Sequence, residues 1–163
     1  MHVLLLFGDV AAAEVCGAYV ASRRLPVKNR VDVYGHQTLM DANDNAVGFE
    51  PNLLVVATDI GIYETAALAR QFGGVAVPAH IDKPANGLLQ MLGTLSDDMG
   101  FTAVELSPHA PAELEAELTA RGYTVIRDSD AHYLETLAES GGQAVDLCER
   151  SAKALVDRLC RRG

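Results

Sequence analysis

Apolar residues fall along this chain in short unbroken runs, separated by longer segments in which they recur at helical spacing. Val3 to Phe7 is an apolar run of strand length, the pattern of a strand buried on both faces of a parallel sheet. Val75 to Val77, Phe101 to Leu106 and Val125 to Ile126 repeat it, and Ala144 to Leu147 suggests one more strand. Between them lie helix signals. Asp9 can cap a helix over Val10 to Ser22, and Thr58 or Asp59 one that runs to about Phe72 and stops at Gly73-Gly74. Lys83-Pro84 opens a loop and a short helix with Leu88, Leu89 and Leu92, while Pro111, Leu114, Leu118 and Gly122 outline a further helix. Ala152, Leu155, Val156 and Leu159 mark a final amphipathic helix, with Arg158, Arg161 and Arg162 at its negative end.

This alternation of strand and helix predicts an α/β fold with a parallel sheet or barrel, in one domain over residues 1–163. Gly35 to Phe49 interrupts it. There, two short runs flank Asp41-Ala-Asn-Asp-Asn45, which reads as an inserted β-hairpin. The Asp/Asn cluster lacks the Gly and the distant Glu of a calcium loop, so turn chemistry is the better reading, with His36 a loop residue at its edge.

Charge narrows the range of partners. The chain has 13 Lys and Arg against 22 Asp and Glu, which argues against a surface built for nucleic-acid phosphates but leaves room for a local pocket for a small anion. No run approaches the length of a membrane span, and the first residues lack the basic start and length of a signal peptide. Cys16, Cys148 and Cys160 form no CxxC or zinc spacing and read as reduced, mostly packed thiols of a cytoplasmic protein.

Two strand ends carry the chemistry. One apolar run leads into Asp130-Ala131-His132, where extended backbone would turn both side chains to one side, and another ends at His80. Carboxylate and imidazole groups gathered at the carboxyl ends of strands suit a divalent metal. A capping or hydrogen-bonded histidine is the plain alternative at each end. No GxGxxG, GxxxxGK[ST] or Gly-x-Ser-x-Gly pattern occurs, so a nucleotide fold and a serine hydrolase have no anchor.

Pro78-Ala79-His80-Ile81-Asp82 and Ser129-Asp130-Ala131-His132-Tyr133-Leu134 resemble the later metal-binding motifs of the polymerase and histidinol phosphatase (PHP) family. Leu39 to Gly48, Ala57-Thr58-Asp59 and Ala103-Val104-Glu105 resemble the segments between those motifs, so that the likeness runs from Met1 to about Leu137. The resemblance implies a partial, distorted (β/α)7 barrel with a cluster of divalent ions, zinc, manganese or iron, at the carboxyl end of its strands. His80, Asp130 and His132 fall on metal-ligand positions, and His2 looks like the ligand that family members place at the start of a strand of this kind.

Family members also carry a His-x-His strand, an Asp-His pair and a Glu ahead of this point, and none is present here. The expectation is therefore a carboxyl-terminal portion of a PHP-type metal-dependent phosphoesterase, acting on a small phosphorylated substrate. The alternative is a non-catalytic metal-binding or oligomerising remnant. Lys83 could pair with substrate phosphate or be a solvated loop residue, and Asp82 could orient a metal ligand from behind or serve the loop turn. Glu105 and His109 are candidate substitutes for missing ligands. A partial barrel exposes sheet edges and apolar faces, which predicts a homo-oligomer that covers them.

Overall fold

A computed structural model describes residues 1–139 and 143–162. In chain order these form β1 (Val3–Phe7), α1 (Val10–Ser22), α2 (Val31–Tyr34), β2 (Thr38–Met40), β3 (Ala46–Phe49), α3 (Ile62–Gln71), β4 (Gly74–Pro78), α4 (Leu88–Leu92), a 3-10 turn at Asp97–Met99, β5 (Ala103–Leu106), α5 (Ala112–Ala120), β6 (Thr124–Arg127), α6 (Leu134–Glu139) and α7 (Ala152–Leu159). The chain divides into two compact units, Met1–Cys16 with Gly61–Gly163, and Gly17–Ile60.

The fold is mixed α/β, built from small sheets, and no barrel closes among the described residues. The expected parallel pairing holds for β5 and β6, which α5 connects as a βαβ unit. β1 instead pairs antiparallel with β4, and β2 with β3. An apolar run encodes burial but not strand direction, so the parallel pairing expected for Val3 to Phe7 does not form.

β4 and β5 run side by side at the centre of the larger unit, and their alternating side chains divide between two clusters. Ala76, Val104 and Leu106 pack with Ala66 and Ala69 of α3, with Leu118 of α5 and with Phe101 just before β5. Val75, Val77 and Ala103 face the other way, onto Val156 and Leu159 of α7. Gly74 is required where the β1 backbone crosses, since a Cβ there would lie 2.5 Å from the Leu6 carbonyl oxygen. Arg162, after α7, fastens the helix end. Arg162 donates to the Phe101 carbonyl at 3.1 Å and to Asp97 at 3.2 Å, and Thr102 donates to the Leu159 carbonyl at 2.6 Å.

The smaller unit is held chiefly by polar contacts. Asp41 Oδ1 accepts from the backbone N–H of Asn43 and Asn45, at 2.8 and 3.0 Å, which closes the predicted hairpin as an Asx turn. Gln37 bridges to Glu50, Asn52 and Leu54, and Arg23 pairs with Asp59 at 2.6 Å.

Other expectations need correcting. β1 is half-buried rather than covered on both faces, because it is an edge strand with one partner. α3 begins at Gly61, whose N–H donates to Glu64 at 3.1 Å; Asp59 is occupied by Arg23 and Thr58 by the Ile60 N–H. β6 stops at Arg127, and Asp130 takes a left-handed φ of 49°, so the extended stretch expected through His132 does not form. Ala144 to Leu147 makes no strand; the Gln143 side chain before it accepts from the Arg127 N–H at 2.7 Å instead. Cys16 is buried, but Cys148 and Cys160 are exposed, so the free thiols are not mostly packed. No helix among the described residues is long and apolar enough to cross a membrane.

Leu106 is fully buried at the end of β5. Truncating Leu106→Ala should lower unfolding free energy by about 2–5 kcal/mol, against about 0.5 kcal/mol or less for the exposed Leu134→Ala. Urea titration of both variants checks this.

Candidate functional site

The register of β1 against β4 builds the site. Val3 stands opposite Pro78, so the residue before β1 lies beside the first residues after β4. The Ala79 N–H donates to the His2 carbonyl at 3.1 Å, and the His2 N–H to the Asn86 carbonyl at 3.3 Å. Two histidines far apart in sequence thereby meet. His2 Nδ1 is 3.2 Å from His80 Nε2, with the rings nearly perpendicular at 75°.

His80 is only 3% exposed and its backbone takes φ 34°, a left-handed conformation that costs a non-glycine residue about 1–3 kcal/mol. Its surroundings hold it there. The His80 N–H donates to Glu105 Oε1 at 3.2 Å, and the next N–H, of Ile81, to the Glu105 carbonyl at 3.0 Å. Its ring Nδ1 is buried without a hydrogen-bond partner among the described residues. Backbone strain and an orphaned buried ring nitrogen, both on His80, are the kind of feature that functional sites carry.

Asp130 approaches from the loop after β6. Its Oδ2 is 3.9 Å from His80 Nε2 and accepts from Lys83 Nζ at 2.8 Å. That ammonium, before any other cause, holds the Asp130 carboxyl below its ordinary range. His2 is shifted down by burial, reinforced by His80 and the chain's amino group. His132 turns its Nδ1 to the Asp130 carbonyl at 2.7 Å and is otherwise exposed.

Asp82 is engaged elsewhere: Oδ1 accepts from the Ser107 N–H at 2.8 Å and Oδ2 from the Ser107 hydroxyl at 2.5 Å, so the carboxylate ties the loop after β4 to the loop after β5. His109 is exposed in the loop after β5. Sequence reasoning undervalued Glu105, which is 4% exposed and positions the His80 backbone. An acid inside the otherwise apolar run Phe101 to Leu106 was its signal. It missed Arg127, whose guanidinium donates to the Ser107 and Ala110 carbonyls and pairs with Glu115 at 2.7 Å, fixing the same loop.

The donor set suits a divalent ion in its chemistry, imidazole nitrogen with one carboxylate. A tetrahedral ion bound at about 2.0–2.1 Å separates its ligands by roughly 3.3 Å. The 3.2 Å between His2 Nδ1 and His80 Nε2 fits that edge; the 3.9 Å to Asp130 exceeds it. Among the described residues no group of three or more His, Cys, Asp or Glu side chains is arranged to hold a metal ion. No protein-family model, curated protein or solved structure matches the chain.

Burial pushes the Glu105 carboxyl above its ordinary value, so the folded chain keeps a proton that the unfolded chain has already lost. The group's contribution to stability is therefore full below the ordinary carboxyl range and declines as pH rises through the raised value. Glu105→Gln retains an acceptor for the His80 N–H and removes that titration. In metal-free urea titrations the wild type should lose stability over this interval and the variant should lose less; parallel pH profiles would contradict the assignment.

Proposed function

We propose that this chain is a carboxyl-terminal portion of a PHP-type metal-dependent phosphoesterase, with a partial (β/α) barrel whose strand ends carry the metal ligands. The observation that supports the reading is His80, whose Nε2 lies 3.2 Å from His2 Nδ1 and 3.9 Å from Asp130 Oδ2, three residues from separate parts of the sequence that the resemblance had marked as ligand positions. His132 lies on the same loop as Asp130 and is the fourth candidate.

A bound zinc, manganese or iron ion would supply a hydroxide near neutral pH and charge stabilisation for a phosphoryl group. The chain's own residues do the rest. His2 and His80 offer imidazole nitrogen, Asp130 offers a carboxylate, and Glu105, through the His80 N–H, fixes where the buried imidazole stands. Lys83, paired with Asp130 at 2.8 Å, is a cationic side chain at the site and suits a small phosphorylated substrate. A second reading, a metal-binding remnant without turnover, is favoured by the ion pair that Asp130 already makes and by the lack of a third aligned ligand among the described residues.

The partner expected is another copy of the chain. Among the described residues β1 pairs on one edge only, and Leu4, Val10 and Val15 on and after it are exposed. Light scattering after size exclusion should give at least a dimer, with Leu4→Ser and Val10→Ser shifting it toward monomer; a monomer at high concentration contradicts this.

Elemental analysis after loading and desalting should find metal in the wild type and little in His80→Ala. Phosphomonoester hydrolysis should then be measured on this chain and on a longer product that includes coding sequence upstream of Met1. Metal-dependent turnover in either supports the phosphoesterase; bound metal with no turnover in both supports the remnant. A chain that retains no metal sinks both readings.

A further inference from the structure

The hairpin of β2 and β3 exposes apolar side chains on both of its faces. Leu39, Met40, Val47 and Phe49 are all exposed, Phe49 at 58%, and among the described residues of Gly17–Ile60 only Leu53 is a buried hydrophobic. A two-stranded hairpin alone is marginal in water and needs a further layer against it. We propose that this hairpin is a contact between copies of the chain, in which the face bearing Met40 and Phe49 packs on the same face of a second copy. This rests on the homo-oligomer reading above, needs no metal, and gives the assembly a contact in the smaller unit, apart from β1.

Register decides which side chains share that face. Thr38 stands opposite Phe49 and Met40 opposite Ala46, so these four point to one side, while Leu39 stands opposite Gly48 and points to the other. Leu39 Cδ1 lies 3.7 Å from where a Gly48 Cβ would be, so the leucine lies over the glycine and covers part of its own side. On the first side the apolar area is widened instead: the His36 ring stands 4.8 Å from that of Phe49. The ladder skips Val47, so β3 is bulged and its outer edge is a poor template for a further strand. What needs covering is the face.

Charge and area both favour a second copy as the occupant. Gly17–Ile60 holds four basic and five acidic residues, so it contributes −1 to a formal net charge of −9. Three of the four cations are paired within the unit, Arg23 with Asp59, Arg24 with Glu50 and Arg30 with Asp32, which leaves little for a polyanion to recognise. Two acidic chains repel through the rest of their surface and meet at least cost where each is nearly neutral. The chain exposes 10266 Å², where a folded monomer of 17.4 kDa exposes about 7,900 Å². The surplus, roughly 2,400 Å², is at the upper end of what each partner gives up in a permanent dimer.

Sedimentation velocity over a range of concentrations tests this, with the Asn43 and Asn45 amide resonances, both bonded to Asp41, reporting that the hairpin stays folded. Met40→Lys, Phe49→Lys and Phe49→Glu should each weaken self-association at least about tenfold, as loss of a central apolar contact does. An equal mixture of Phe49→Lys and Phe49→Glu should recover much of it, because opposite charges then meet across the contact. Tyr63→Lys, at an exposed position on α3 in the larger unit, should change nothing. Hairpin variants that associate as strongly as the wild type would overturn the inference and leave the β1 contact standing. Dissociated variants whose mixture stays dissociated would overturn it too, since the substitutions then act on the unit's own fold and not across a contact. A wild type that stays monomeric at high concentration would overturn both, with a foreign protein left as the occupant of the face.

Discussion

The antiparallel ladder between β1 and β4 is the constraint on which the candidate site depends. In an antiparallel pair the start of one strand lies beside the end of the other, and the register here sets Val3 against Pro78. His2 and His80 are the residues just outside that ladder, and the Ala79-to-His2 hydrogen bond carries the pairing to their doorstep. Parallel pairing of the same strands would leave His2 at the opposite end of the sheet. Gly74 makes the approach possible at the far end, where any side chain would collide with the Leu6 carbonyl.

Around that meeting point the structure combines rigid and mobile parts. β4 and β5, buried on both faces, hold His80 through the Glu105 carboxylate and carbonyl, and the Asp82–Ser107 pair binds the two loops that follow the strands. Arg127 secures the second of those loops from β6. Against this frame Lys83 and Asp130 are partly solvated and joined mainly to each other.

Much of the larger unit was legible because burial writes itself into the sequence. The runs at β4 and β5, the helix with Pro111 before it and Gly122 after it, and the Ala152 to Leu159 helix follow apolar periodicity and capping closely. The hairpin was legible from Asp41, whose carboxylate makes the turn its neighbours suggested. Strand direction was not, since Val3 to Phe7 could pair either way. Nor was the backbone at Asp130: an Asp-x-His spacing converges only if the chain is extended, and φ at Asp130 is positive. His2 and His80 came together for a reason no local pattern contains, the register of strands separated by all of α1, α3 and the smaller unit. The partner of Asp130, Lys83, was visible as a nearby cation but its target was set by tertiary structure.

X-ray absorption at the zinc edge of the loaded chain addresses the central claim most directly, because it counts imidazoles on the ion. The account requires a shell of nitrogen and oxygen at about 2.0–2.1 Å with scattering from two histidine rings or more, one of which disappears in His2→Ala and one in His80→Ala. A spectrum that lacks imidazole scattering, or that neither substitution changes, would mean that the two histidines meet without sharing a metal.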